Sequence, residues 1–359
     1  MKFKCLLLLC LCISTQLFAQ LDFSNANSET TALLHEMDSL VESGKYERIT
    51  SILVAQNGNV VYEKYYNNNT VDSKHNTRSA TKTLATFLTG IAIDKGFVNS
   101  EKDKIFTYLK HTLPVKNPDK RKDNITIEDL LTMTSILECD DSNWHSRGHE
   151  ERMYFIEDWT QFLVDLPVRS YPFGPKPEDA PYGRVFAYAS AKSAAIADIL
   201  QHAIKGDLID FTKTHLFEPL AIKDYTLHYS PKGVLNTAGG SEYRSRDFLK
   251  LIQMCLNNGK WNGKQIISES WLQKATTPKV SAYDDTDYGY LLWLKSFGND
   301  TKYKSYYMSG NGGNKVLACP DLNLSVVITS TNYNNRNAHN YTDELMNTYI
   351  IPSIESNKN

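Results

Sequence analysis

Ser79 and Lys82 stand three residues apart in "RSATKTLATFL", residues 78–88. A serine hydroxyl is a weak nucleophile until a neighbouring base takes its proton. A lysine amine can be that base only in its neutral form, which burial or nearby cations favour. Positions i and i+3 of a helix share a face, so the two groups can meet. The apolar residues that follow, Leu84, Phe87, Leu88, Ile91 and Ile93, would bury such a helix and desolvate the amine. Ser79 would then sit at the helix N-terminus, where free backbone N–H groups can stabilise an oxyanion. The plainer alternative is Ser79 as an N-cap with Lys82 in solvent. These four residues alone do not choose between the two.

The elements around the pair suggest how it is held. Upstream, "NSETTALLHEMDSLVESG" has helical spacing at Leu33, Leu34, Met37, Leu40 and Val41 and a stop at Gly44. "TSILVAQNGNVVYEKYY" reads as two strands joined by a type I′ turn at Asn57-Gly58. From about residue 79 to 204 the chain reads as helical and loop-rich. "TIEDLLTMTSIL" has a capping-box-like start at Thr126 and Asp129, and "SAKSAAIADILQHAI" is a second helical stretch. Between them, Pro172, Gly174, Pro175, Pro177 and Pro181 mark an irregular segment. The last third returns to strands in "YGYLLWLKSF", "YKSYYMSGNGGNKVLACP" and "LNLSVVITSTN", then closes on a helix over "NAHNYTDELMNTYIIPSI". The expected fold is α+β: an antiparallel sheet flanked by N- and C-terminal helices, with an inserted, mostly helical domain. The sheet part would span about 30–78 and 205–355 and the insert about 79–204.

The first nineteen residues read as a separate object. Lys2 and Lys4 precede a short apolar run, "CLLLLCLCI", and "LFAQ" resembles a cleavage site after Ala19. That pattern is a secretory signal, too short for a span, so the expected location is periplasmic or secreted. A lipoprotein signal is disfavoured because leucine precedes both Cys10 and Cys12. With the signal removed, Cys139, Cys255 and Cys319 remain; an odd, widely spaced set argues against a disulfide scaffold, although one pair stays possible. A net charge of −2 without charged blocks argues against a nucleic-acid partner and points to a small-molecule or peptide-like substrate. No cofactor is implied. His145 and His149 are four residues apart, but Gly148 and the lack of a third ligand argue against a metal. The segment from Asp140 to Trp159 is a candidate lining for a substrate cleft. The oligomeric state is open.

An Asn-Gly hairpin followed by S-A-T-K opening an apolar helix resembles the serine β-lactamase and penicillin-binding superfamily. In particular it is similar to class C β-lactamases and to the esterases, D-aminopeptidases and 6-aminohexanoate-dimer-hydrolase-like amide hydrolases built on that fold. "ITIEDLLTMTSIL" and "GGSEYRSRDFLKLIQMCLNNGKWNGKQIIS" resemble further stretches of the family, with Ile136 standing where glycine is usual. The resemblance extends from about residue 30 to 350. It implies a second motif, Y-x-N, for which Tyr188-Ala189-Ser190 is the candidate, Tyr188 joining proton transfer and Ser190 replacing asparagine. Literal Y-x-N strings at Tyr65, Tyr66 and Tyr333 fail on order. It also implies a strand motif, K-T-G or H-x-G, here Met308-Ser309-Gly310, with Ser309, Gly310 and Asn311 as substrate-binding or oxyanion residues. Met308 replaces the cation expected for a substrate carboxylate, and Ser190 the amide, so ester or amide hydrolysis through a Ser79 acyl-enzyme is favoured. The alternatives are a β-lactamase or DD-peptidase, and a non-catalytic sensor or binding protein.

Overall fold

The computed structural model describes residues 21–28, 31–170 and 185–356. The signal segment with its cleavage point and the proline-rich stretch from Pro172 to Pro181 lie outside the described residues.

The chain opens with helix α1, Ala32–Glu42, capped by the Thr31 hydroxyl accepting from Leu34 N. It buries Leu34, Met37 and Val41, as its periodicity predicts. Strands β1, Ile49–Gln56, and β2, Asn59–Tyr65, form the hairpin, and Asn57 and Gly58 both take positive φ as a type I′ turn requires. A short β3, Lys74–Asn76, leads to a 3₁₀ turn over Arg78–Lys82 and then to α2, Thr83–Asp94. Next come α3, Ile127–Leu131, with the full capping box at Thr126 and Asp129, α4, Glu150–Met153, and α5, Trp159–Asp165. Helices α6, Ser190–Ile204, and α7, Leu208–Thr212, follow. The next elements are β4, Tyr225–Thr226, β5, Glu242–Arg244, and α8, Ser245–Leu256. A small hairpin of β6, Lys260–Trp261, and β7, Lys264–Gln265, precedes α9, Glu269–Ala275. Six strands then run in succession: β8, Val280–Tyr283, β9, Thr286–Tyr288, β10, Trp293–Phe297, β11, Tyr303–Gly310, β12, Asn314–Cys319, and β13, Leu324–Ser330. Helices α10, Ala338–Glu344, and α11, Ile351–Ser356, close the chain.

The main sheet has eight strands in the order β2-β1-β13-β12-β11-β10-β9-β8, antiparallel at every pairing. Its two faces carry two cores, as the period-2 alternation of strands dictates. Along β13, Leu324, Val326 and Ile328 enter the core under α1 and α11, whereas Val327 enters the larger core containing α2 and α8. With both faces covered, β13 is buried throughout and reads as an unbroken apolar run. The α+β reading therefore holds: the N- and C-terminal helices cover one face of an antiparallel sheet, α2 and α8 pack on the other, and the described regular elements from Ser79 to Ile204 are all helical.

Two local expectations change. Ser79 and Lys82 lie in the 3₁₀ turn before α2, not in the first turn of the α-helix itself. With three residues per turn, i and i+3 eclipse, which brings the pair closer than an α-helix would. "YGYLLWLKSF" is not one strand, because Gly289–Leu292 leaves the sheet between β9 and β10, with Leu291 at φ 49°. The carbonyls of Tyr290 and Leu291 accept from the Thr86 and Thr83 hydroxyls at 2.7 Å each. Two threonines inside the apolar run of α2 thus tie that helix to the sheet.

Candidate active site

Arg78 holds φ 54°, a left-handed conformation costly for a non-glycine residue. Its carbonyl accepts from Gly240 N at 3.2 Å and from the Thr81 hydroxyl at 3.0 Å, and its N–H donates to Asn76 Oδ1 at 3.1 Å. These bonds fix the bend that delivers Ser79 to the head of the 3₁₀ turn. Lys82 Nζ donates to Ser79 Oγ at 2.9 Å and also to the Ala238 carbonyl. Lys82 is 2% exposed, and among the described residues no carboxylate lies within ion-pairing distance of it. The solvated-lysine alternative is thereby set aside.

The amine also stands 5.1 Å from the centroid of the Tyr188 ring, which stacks on Trp293. Tyr188 is therefore brought to the pair, on the segment that enters α6. That segment is held by a residue the sequence reading did not name. Asp141 N donates to the Tyr188 carbonyl at 2.8 Å, while its carboxylate accepts from Ser190 N at 2.6 Å and Glu150 N at 3.0 Å. Ala189 precedes α6 and has no side chain able to cap it, so Asp141 caps the helix from another loop, where a carboxylate also suits the helix dipole. Burial pushes the Asp141 carboxyl above the ordinary carboxylate range, and the Glu150 charge adds to this, while Lys82 pulls it back down.

Ser190 is fully buried, and its hydroxyl donates to Glu150 Oε2 at 2.6 Å. The structure thus places it behind Glu150 and not in the wall of the cleft, so its first partner is a carboxylate. Ser309 lies opposite Lys315 on β11, partly buried, and Met308 is buried in the large core. Gly310 is the tightest point. A Cβ there would come within 1.8 Å of the Thr77 carbonyl oxygen and 3.0 Å of Ala80 N. The paired register of β11 with β10 ends at Tyr307, so Met308–Gly310 runs past its neighbour and abuts the turn that carries Ser79. Asn311 begins the following turn. Its side chain donates to Asn334 Oδ1 and accepts from Asn334 N, both at 2.8 Å.

A cleft of about 460 Å³ opens on Ser79. Arg78, Glu150, Tyr154, His228, Asn311 and Tyr333 are among its lining residues. Tyr333 fails the motif order yet reaches the site: its hydroxyl donates to the Asn76 carbonyl at 2.6 Å, and its ring lies 4.0 Å under the Arg78 guanidinium. The Asp140–Trp159 segment does contribute to the cleft, through Glu150, Glu151 and Tyr154. His145 and His149 form no helical pair, because His149 caps α4 through Nδ1 and stacks on Trp144. Cys139, Cys255 and Cys319 are buried free thiols. Chemically, the site offers a serine hydroxyl beside a buried amine and an aromatic ring, open to a cleft on one side.

A family model described as Beta-lactamase matches residues 40–347. Solved structures share the fold at low identity. A protein described as a 6-aminohexanoate-dimer hydrolase from Bacillus anthracis aligns over 96% of this chain and 87% of its own, at 16% identity and a TM-score of 0.70. EstCE1, described as a hydrolase with promiscuous acyltransferase activity, aligns over 87% and 97% at 14% identity and a TM-score of 0.68. A D-stereospecific amidohydrolase from Streptomyces sp. aligns over 87% and 98% at 14% identity and a TM-score of 0.64. Among curated proteins, none matches the sequence.

Proposed function

On the premise that this chain belongs to the Beta-lactamase family, we propose that it cleaves an ester or amide bond through an acyl-enzyme on Ser79. The observation that carries the reading is the 2.9 Å contact between Ser79 Oγ and the buried Lys82 amine at the mouth of a cleft. In its neutral form, Lys82 takes the hydroxyl proton as Oγ attacks the carbonyl carbon, giving a tetrahedral oxyanion. The backbone N–H groups of Ser79 and Asn311 are the proposed donors to that oxyanion, since the end of β11 abuts the Ser79 turn. The Lys82 ammonium, with Tyr188, returns the proton to the leaving alkoxide or amine. Water then attacks the acyl carbon and frees Ser79.

Met308 argues for esters or amides over penicillin-like substrates, because its buried side chain offers no cation to a substrate carboxylate. The descriptions of structural neighbours, among them a hydrolase with promiscuous acyltransferase activity, two amide hydrolases, a β-lactamase and penicillin-binding proteins, support hydrolysis or acyl transfer, and Met308 carries the choice of bond. Export to the periplasm or medium, with residues 1–19 as a cleaved signal and one hydrolase domain over about 30–355, completes the proposal. No helix among the described residues is long and apolar enough to cross a membrane.

Intact-mass analysis after a fluorophosphonate probe tests the nucleophile. One adduct is expected on the wild-type protein and none on Ser79→Ala. A panel of p-nitrophenyl esters, short amides and a chromogenic cephalosporin tests the substrate class. Failure of labelling together with no turnover overturns the hydrolase reading, and rapid cephalosporin turnover overturns the ester or amide assignment.

A further inference from the structure

Away from Ser79, three metal-capable side chains converge. His111 lies on a 3₁₀ turn, Lys110–Thr112, and Asp198 and His202 lie one turn apart on α6. One ligand atom from each lies within 4.8 Å of the other two, and this is the one such cluster among the described residues. His111 Nε2 is 3.2 Å from Asp198 Oδ2, and His202 Nδ1 is 3.2 Å from Asp198 Oδ1. The two imidazoles stack with centroids 4.2 Å apart and planes 9° from parallel.

The two 3.2 Å His–Asp separations suit a metal ion once the near-parallel rings turn so that both in-plane lone pairs meet it. Bonds of about 2.0–2.2 Å to a tetrahedral zinc-class ion place neighbouring ligand atoms roughly 3.3–3.6 Å apart. Two imidazole nitrogens and one carboxylate oxygen are the borderline donors such ions prefer. The Asp198 side chain is 7% exposed and the histidines 35% and 42%, so the carboxylate is anchored while the imidazoles remain reachable. The cluster borders a cavity of about 280 Å³ that is also lined by Trp159 and by the Asp158–Lys232 ion pair. The Trp159 indole Nε1–H is buried there without an acceptor among the described residues. Asp158 is already engaged by Lys232 at 2.7 Å, so neither of these two adds an uncompensated charge.

We infer that His111, Asp198 and His202 form a binding site for one divalent transition ion of the zinc class. Neutral imidazoles bind the ion through His111 Nε2 and His202 Nδ1, their protons then residing on His111 Nδ1 and His202 Nε2. The His202 bond to its own helix, Nδ1 to the Asp198 carbonyl at 2.9 Å, is given up in exchange. Asp198 lies eight residues into α6 from Ser190, about 12 Å along the axis at 1.5 Å per residue. The ion therefore does not act on the reacting carbonyl. Its effect is to clamp the 3₁₀ turn at Lys110–Thr112 to the helix that begins beside Tyr188, and the inference does not depend on the hydrolase reading.

The test uses untagged full-length protein stripped of metal with a chelator. Titration with Co²⁺ is expected to give visible d–d absorption saturating at one equivalent and bleached by Zn²⁺. Zn²⁺ is also expected to raise the Tm. His111→Ala and Asp198→Asn should each weaken Zn²⁺ binding at least tenfold by calorimetry and abolish the Tm rise. His145→Ala, at the other closely spaced histidine pair, should change neither. His111 is partly exposed, so His111→Ala carries the test if Asp198→Asn fails to fold. The absence of a saturable one-to-one Co²⁺ or Zn²⁺ signal overturns the site, as does binding that survives unchanged in His111→Ala.

Discussion

Lys82 Nζ is shared between the Ser79 hydroxyl, at 2.9 Å, and the Ala238 carbonyl, which lies 156 residues further along the chain. The carbonyl sets where the amine points, so the amine is aimed at the serine before any substrate arrives. That is the preorganisation a general base requires. Lys82→Met keeps an unbranched side chain of similar length but removes the proposed base. It is expected to lower kcat/KM for an activated ester by about 10²–10⁴-fold. Lys82→Arg should not rescue activity, because a guanidinium stays protonated at working pH. Ester turnover measured beside thermal melting checks both. Activity retained in Lys82→Met would remove this lysine from the mechanism.

Gly310 has a role its place in a strand would not suggest. Any Cβ there meets the Thr77 carbonyl oxygen at 1.8 Å, an impossible approach, so Gly310→Ala must push the Ser79 turn away from β11. Overpacking of this kind costs about 1–3 kcal/mol, and a 1 Å displacement of a reacting group costs on the order of 10²-fold in rate. Urea unfolding and ester kinetics on Gly310→Ala should show both losses. Normal kinetics would mean that β11 does not position Ser79.

Much of this arrangement was legible in the sequence, and the reasons differ by element. The Asn57-Gly58 hairpin, the α1 periodicity and the Thr126 capping box are local signals, and each appears as read. Ser79 and Lys82 were readable as a pair because three residues separate them, though not as a 3₁₀ turn. Asp141 and Glu150 were not readable as partners. They reach Ser190 across 49 and 40 residues of chain, and nothing in the local pattern marks an aspartate that caps a helix from another loop. Tyr333 was set aside on motif order, whereas a cleft is assembled by proximity, and its hydroxyl bonds a residue 257 positions earlier. The break at Gly289–Leu292 was hidden because its apolar residues are buried either way; the threonine hydroxyls of α2 decide it.

Asp38 on α1 accepts from the Tyr62 and Tyr66 hydroxyls at 3.0 and 2.9 Å and from Lys64 at 2.9 Å. Burial acts to raise its pKa, but these donors together outweigh it and hold the carboxyl below the ordinary value of 3.8. A depressed carboxyl contributes stability in full above its unfolded pKa and loses it as the pH falls through the folded value. Asp38→Asn should therefore cost about 1–3 kcal/mol at pH 7. The gap between wild type and variant should close on acidification below about pH 4. Urea midpoints at several pH values report this directly, and a gap that widens in acid would show the sign to be wrong.

Lys192 gives the opposite sign from a basic residue. It is fully buried in α6, and its Nζ donates to the Met133 carbonyl at 3.0 Å and the Ala187 carbonyl at 2.5 Å. Met133 O also accepts from Ala187 N at 2.9 Å, so the lysine locks the backbone immediately before Tyr188. Burial lowers the Lys192 pKa below its ordinary 10.5. Between the folded and unfolded values the unfolded chain binds more protons, so this residue makes stability rise with pH. Lys192→Met removes that rise: the wild-type protein should gain stability relative to the variant as the pH climbs toward the unfolded lysine value of about 10.4. The variant leaves the Ala187 carbonyl without the ammonium and frees the Tyr188 segment. Its kcat is therefore expected to fall about tenfold or more with KM little changed, since displacing the proposed proton-transfer group weakens the chemical step and not ground-state binding. Lys192→Arg, too large for a site with no solvent access, should not restore it. Unchanged kcat, or a wild-type stability that falls relative to the variant as pH rises, would show that Lys192 neither holds Tyr188 nor carries its charge at a cost.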